Sequence, residues 1–244
     1  MLLTQKTTAL LLVLFLISVN VLSQLPQAQM DSLVKELAKA KEDTNKVNLL
    51  KTLANEIGYT DYKKALEYGQ QGYALSEKLG YEKGMGNMAY LMGFTYGDMG
   101  NMPMADSFLN IAESIFQKLG LANQLAKVEH ARGVKNYRLG NYWLAADFFA
   151  KSIKFFEESN DKSTALIVYQ SLIAALGQTK NHDKAIESGK KALKLAEDMK
   201  DTLSMGYSLQ ALVNDLIYAK RLDEAGTYVS RLEGFAGKTI DQNV

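Results

Sequence analysis

Alanine returns at Ala65, Ala105, Ala145, Ala185 and Ala225, a spacing of 40 residues held without an insertion. A fixed period of this length is the mark of a stacked repeat architecture. Other columns keep the same register. Four residues before the alanines stand Asp61, Asn101, Asn141, Asn181 and Arg221. The first four are residues whose side-chain oxygens accept from the orphan N–H groups of a first helical turn. Three residues after the alanines come Tyr68, Phe108, Phe148, Ser188 and Tyr228, and seven after come Gly72, Ala112, Ser152, Ala192 and Leu232. Ten after come Leu75, Ile115, Phe155, Leu195 and Phe235. Offsets 0, 3, 7 and 10 share one stripe of a 3.6-residue helix, so a helix of about 16 residues begins near each cap column.

These second helices are expected to end at Gly80, Gly120 and Asn160, residues that accept a left-handed C-cap. Pro103 falls in a first turn, where its missing N–H costs little. A first helix precedes each second one, as in Met85–Met99, Leu125–Leu139 and Thr164–Thr179, joined through turns such as Gly100-Asn101 and Gly140-Asn141. Twelve residues before each alanine lie Leu53, Gly93, Gly133, Ile173 and Val213, where the two glycines admit a facing helix. One hairpin alone cannot bury both faces, so five units must stack. The fold class predicted is an all-α solenoid of about five antiparallel helix pairs, with repeats at about 44–82, 83–122, 123–162, 163–202 and 203–236.

The pattern of small residue, twelve positions, alanine, aromatic and second small residue resembles the tetratricopeptide repeat (TPR). Gly93-x2-Tyr96 with Ala105, Phe108 and Ala112 is the fullest copy. The likeness covers about residues 44–236. The usual repeat has about 34 residues, and this one matches the longer-helix variety of bacterial regulatory proteins. A tryptophan near the start of the first helix is missing, and Gly or Asn replaces the proline that ends the second. Repeat one has Thr52, Leu53 and Glu56 where large, small and tyrosine side chains are usual. The resemblance implies a right-handed solenoid that binds proteins or peptides and does no chemistry. Its first helices would line a concave groove, carrying Asn87, Tyr90, Phe94, Lys127, His130, Tyr137, Arg138, Gln170, Gln178, Tyr207, Gln210, Asn214 and Tyr218. Amides that donate and accept together suit an extended backbone, and each such bond is worth only about 1 kcal/mol net. Tyrosines add rigid contact area, although some of these would pack between helices instead.

The N-terminus reads as an export signal over residues 1–23. Lys6 precedes the apolar run Ala9–Leu22, with Val21 and Ser23 before a cut ahead of Gln24. A spanning helix needs about 20 apolar residues, and this run is shorter and contains Asn20. Contact with a membrane would come only from an uncleaved signal. Cleavage removes one lysine and no acid from a chain of net charge +1, so the remainder is formally neutral. That balance argues against a nucleic-acid partner. The chain has no cysteine, which rules out disulfides and suits a bacterial periplasm. Residues 24–43 form a lead-in, and Met30–Lys46 reads as a capping helix with Leu33, Val34 and Leu37 inward. This lead-in resembles the exported sensor regions of Bacteroidetes-type histidine kinases and regulators. The chain reaches Val244 with no output domain, so it stands alone or is a truncated relative. The tail is 237–244, and the stretch from Gly234 to Val244 lacks a polar capping helix, which leaves self-association through repeat five as the alternative to ligand binding.

Catalytic and metal signatures are missing. The two histidines are distant, with His182 expected exposed at a turn and His130 on a first helix; neither has a ligand partner at helical spacing, so no metal or cofactor is expected. Met85, Met88 and Met92 form a helical stripe that reads as core filling space left by Gly93 and Gly97. Met99, Met102 and Met104 follow it.

Overall fold

A computed structural model describes residues 25–241, with the backbone alone for 235–241. The expected export signal therefore lies outside the described residues. Those residues form helices throughout, with no strand among them. After a lead-in helix α1 (Gln27–Lys39), the hairpins are α2 (Thr44–Ile57) with α3 (Tyr62–Lys78), α4 (Glu82–Asp98) with α5 (Met102–Lys118), and α6 (Ala122–Arg138) with α7 (Tyr142–Glu158). Then come α8 (Lys162–Gln178) with α9 (His182–Met199), and α10 (Thr202–Tyr218) with α11 (Leu222–Asp241). Each helix packs on the next in sequence, and each first helix also touches the first helix of the following repeat. The chain is a helical-repeat solenoid.

The underlying beat is 20 residues. A positive φ occurs at Gly80, Gly100, Gly120, Gly140, Asn160, Lys180, Lys200 and Lys220, at both hairpin turns and repeat junctions. At each, the following residue's N–H reaches back to a carbonyl five residues earlier, as from Tyr81 to Ser76 (2.8 Å) and from Arg221 to Leu216 (2.8 Å). That bond satisfies a helix-end carbonyl and requires the left-handed residue before it. Glycine takes this conformation freely; the lysines of the C-terminal half do not. Asp61, Asn101 and Asn181 cap their helices as expected, from Lys64 (2.9 Å), Met104 (3.3 Å) and Lys184 (3.5 Å). Asn141 accepts no cap bond and donates instead to Asn136 Oδ1 (3.5 Å).

The buried stripe of the second helices is shifted by one residue from the expected one. Alanine and the seventh residue after it are buried, but the deepest large side chains stand four and eleven after: Leu109, Phe149, Phe116 and Phe156. Phe108, Phe148, Ile115 and Phe155 are half-buried. The reason is a small-against-large contact inside hairpins two and three. A Cβ on Gly93 would lie 2.9 Å from Leu109 Cγ, and one on Gly133 would lie 2.5 Å from the Phe149 ring. In repeat four Gly189 stands at the position of Leu109 and Phe149, and Leu212 of the next repeat takes its space, 2.9 Å from an added Cβ, with Ile173 at 3.9 Å.

Met88 and Met92 are core, as the stripe suggested, and Met85 is half-buried. The space they fill belongs to Gly72 and Gly69 of the preceding repeat, where an added Cβ would fall 2.2 Å from Met88 Cε and 2.8 Å from Met92 Cγ. Neither Gly93 nor Gly97 supplies it. Helix α1 lies earlier than Met30–Lys46, because the chain turns at Ala40 and restarts at the Asp43 cap. Leu33 and Leu37 pack on the core of repeat one, whereas Val34 faces solvent. The last helix continues to Asp241, past the boundary expected at 236.

Glycine inside α11 supplies a direct test of these local rules. Gly226 is exposed, and nothing lies within 4 Å of an added Cβ. Gly226→Ala is expected to raise stability by about 0.5–1 kcal/mol through lower chain entropy in the unfolded state. A urea midpoint unchanged or lowered would contradict that.

Candidate functional site

A recess of about 710 Å³ lies along the first helices α8 and α10. Ile173, Ala174, Gly177 and Ala211 form its apolar floor. Around it stand six of the expected groove residues: Gln170, Gln178, Tyr207, Gln210, Asn214 and Tyr218. The four amide side chains make no hydrogen bond to other described residues. Gln170, Gln178 and Asn214 are exposed and Gln210 is half-buried, so their donors and acceptors face solvent, within reach of an incoming molecule.

His182 belongs to the same recess and corrects the expectation of an exposed turn residue. It sits at the start of α9, its Nδ1 is 2.9 Å from Asp215 Oδ1, and its ring stacks on Tyr218 at 5.3 Å and 17°. Burial pushes the Asp215 carboxyl up, against the opposing pull of His182. Nδ1 is the ring atom that faces Asp215, which leaves Nε2 as the ring's second polar atom. His182 and Asp215 are 33 residues apart on different repeats, and nothing in the one-dimensional pattern joins them.

A second recess of about 330 Å³ lies between α2, α4 and α6. Asn87, Tyr90 and Lys127 meet there, beside Lys51, Lys83, Asn55 and Gln124. Burial pushes the Tyr90 phenol up. Lys51, Lys83 and Lys127 form no salt bridge among the described residues. The single acid of the lining, Glu56, accepts from the Leu25 N–H (3.4 Å). Sequence reading missed Lys51 and Lys83, though a signal existed: Lys51-x3-Asn55 and Lys83-x3-Asn87 each place both side chains on one face of a first helix.

The remaining expected residues have other roles. His130 lies against Phe149, with ring centroids 5.6 Å apart, and burial lowers it to about 4, so it is a neutral packing residue. Tyr137 packs against the core and meets Tyr142 edge-on at 5.1 Å. Arg138 pairs with Asp98 of the preceding repeat, and Phe94 packs beside Tyr90 at 6.3 Å. Among the described residues no cluster of three His, Asp or Glu side chains could hold a metal, and no helix is long and apolar enough to cross a membrane.

No protein-family model matches the sequence, and no curated protein matches it. Solved structures do match in fold. BtubC from P. vanneervenii is 16% identical with a TM-score of 0.74, over 87% of this chain and 91% of that one. A Rap protein complexed with Competence and Sporulation Factor is 17% identical with a TM-score of 0.67, over 87% and 71%. A putative kinesin light chain with nearly identical TPR-like repeats, from Podosopora anserina, is 14% identical with a TM-score of 0.64, over 80% and 96%. The fold is thus shared with TPR-like repeat proteins.

Proposed function

We propose that this chain is a non-enzymatic binding module that holds an extended peptide or protein segment along its first-helix face. It would serve as a sensory or scaffolding component of an exported bacterial signalling system; the export part rests on the N-terminal sequence alone. The observation that carries the reading is the open set of amides, Gln170, Gln178, Gln210 and Asn214, around one apolar-floored recess. A peptide backbone offers alternating donors and acceptors that such two-way groups match, while an apolar side chain fills the floor. The Rap protein of similar fold, complexed with its factor, lends this reading support. The lysines of the second recess favour a ligand whose acidic part lies over repeats one to three, with its neutral part over repeats four and five.

The test is selection from a random dodecapeptide library, followed by Gln210→Ala, Asn214→Ala and Tyr218→Ala together. Losing two amide bonds and one ring contact is expected to weaken selected peptides about 30- to 100-fold, with the thermal melt unmoved because none of the three is core. Peptides that bind the triple variant undiminished, or a library that yields none, would defeat the proposal.

A further inference from the structure

The hairpin turns carry exposed side chains that no packing accounts for. At the turn of repeat two these are Met99, Pro103 and Met104, and at the turn of repeat three they are Leu139, Trp143 and Leu144. Trp143 is 60% exposed and Leu139 51%. The Arg138–Asp98 ion pair joins equivalent positions of the two turns, so the six side chains stand side by side on one edge of the solenoid. Neither turn has a charged residue between positions 99 and 104 or between 139 and 144.

The neighbouring turns add positive charge beside exposed apolar side chains of their own, Tyr59 and Tyr62 in repeat one and Tyr218 and Leu222 in repeat five. Repeat one presents Lys63 and Lys64, and repeats four and five present Lys180, Lys184 and Lys220, all exposed and none in a salt bridge among the described residues. Most of the acids on this edge are already engaged. Asp61 accepts the Lys64 N–H, Asp98 holds Arg138, Asp106 holds Lys135, Asp183 pairs with Arg221, and Glu224 pairs with Lys190 and Arg221. Asp223, and Asp147 one helical turn after Trp143, have no such partner among the described residues.

We infer that this edge docks on an anionic lipid surface. The apolar turns of repeats two and three would enter the boundary between headgroups and acyl chains, and the flanking lysines would meet lipid phosphates. An indole with an apolar body and a polar N–H belongs at that boundary, with methionine and leucine beneath it. Lysines on both sides give the charge complementarity that a protein partner of mixed charge would not need, and anionic surfaces attract such residues within a Debye length. Self-contact fits less well, because pairing this edge with its own copy would bring basic turns against basic turns.

Trp143 is the only tryptophan of the chain, so its emission reports on this edge alone. The full chain is titrated with phosphatidylcholine vesicles, with and without phosphatidylglycerol, reading emission wavelength and co-sedimentation. The expected result is a blue shift on the anionic vesicles, at least about tenfold tighter than on neutral ones, and reversed by salt. Lys63→Glu with Lys64→Glu keeps the reporter and is expected to weaken binding about tenfold. Trp143→Ser with Leu144→Ser is expected to lose most of the co-sedimentation. Sedimentation without a blue shift would mean that another segment binds lipid and would overturn the inference. A shift that grows with protein concentration in the absence of vesicles would overturn it in favour of a second copy. Binding unchanged in both variants would overturn it as well.

Discussion

Phe149→Ala is expected to lower stability by about 3–5 kcal/mol, the range for emptying a fully buried aromatic site. The ring is 1% exposed, and it fills the space that Gly133 leaves by having no Cβ. The cavity cannot close by backbone approach, since the two helices are already as near as a glycine allows. Exchanging the two sizes supplies a rescue. Phe149→Gly with Gly133→Ile returns a large side chain to the shared space from the opposite helix. Each single change should be severe, through a cavity in one case and overpacking in the other, and the double variant should recover part of the sum. Urea unfolding of the four proteins measures this; strict additivity would show that the two positions do not share one site. His130 is a second reporter. Its ring lies on Phe149, and burial lowers it from 6.5 to about 4. The unfolded chain therefore takes up its proton first as pH falls, so His130 stabilises the fold above about 6.5 and that contribution is lost toward 4. In Phe149→Ala the residue should titrate nearer its ordinary value by proton NMR, with a weaker acid dependence of stability.

Arg132→Met should be comparably damaging for an electrostatic reason. Arg132 bridges Glu113 (2.5 Å), Glu129 (3.2 Å) and Asn110 (2.8 Å) where α5 of repeat two meets α6 of repeat three. Burial already pushes the Glu129 carboxyl up, and its Oε2 has no partner among the described residues. Removing the cation leaves that carboxylate buried and unpaired, which typically costs about 3–5 kcal/mol. The sign with pH follows. A carboxyl raised in the fold favours folding while it is protonated, and the penalty grows as pH rises through its folded value. The deficit of the variant should thus be largest at neutral pH and shrink toward pH 4. Glu129→Leu added to Arg132→Met should restore most of the loss. A deficit independent of pH would show that Arg132 acts through packing alone.

The repeat was legible because stacking forces equivalent positions into equivalent environments, and small residues at helix contacts are under steric pressure that a 40-residue register exposes. The helix starts were legible for a related reason: Asp61, Asn101 and Asn181 each satisfy a backbone donor locally. What the columns hid was compensation. Gly133 admits Phe149 of its own hairpin, whereas Gly189 admits Leu212 of the next repeat, so neither column alone looks uniform. The candidate site was half legible. Gln170, Gln210 and Asn214 could be placed from helix position, because a first-helix face is a local property. His182 against Asp215 could not, since it depends on how one repeat lies on the next. His130 and Tyr137 occupy similar positions in sequence yet turn inward, drawn by the apolar neighbours Phe149 and Tyr142.

The twenty-residue beat of left-handed turns, unbroken from Gly80 to Lys220, has a bearing on how such a chain changes length. Any block of forty residues cut or copied from one turn to its equivalent leaves every helix end and every turn closure in place, and alters only which neighbours meet. Gain or loss of a whole unit is therefore a small perturbation for this molecule, whereas a single residue inserted within a helix would turn the side chains that follow it in that helix by about 100° out of register.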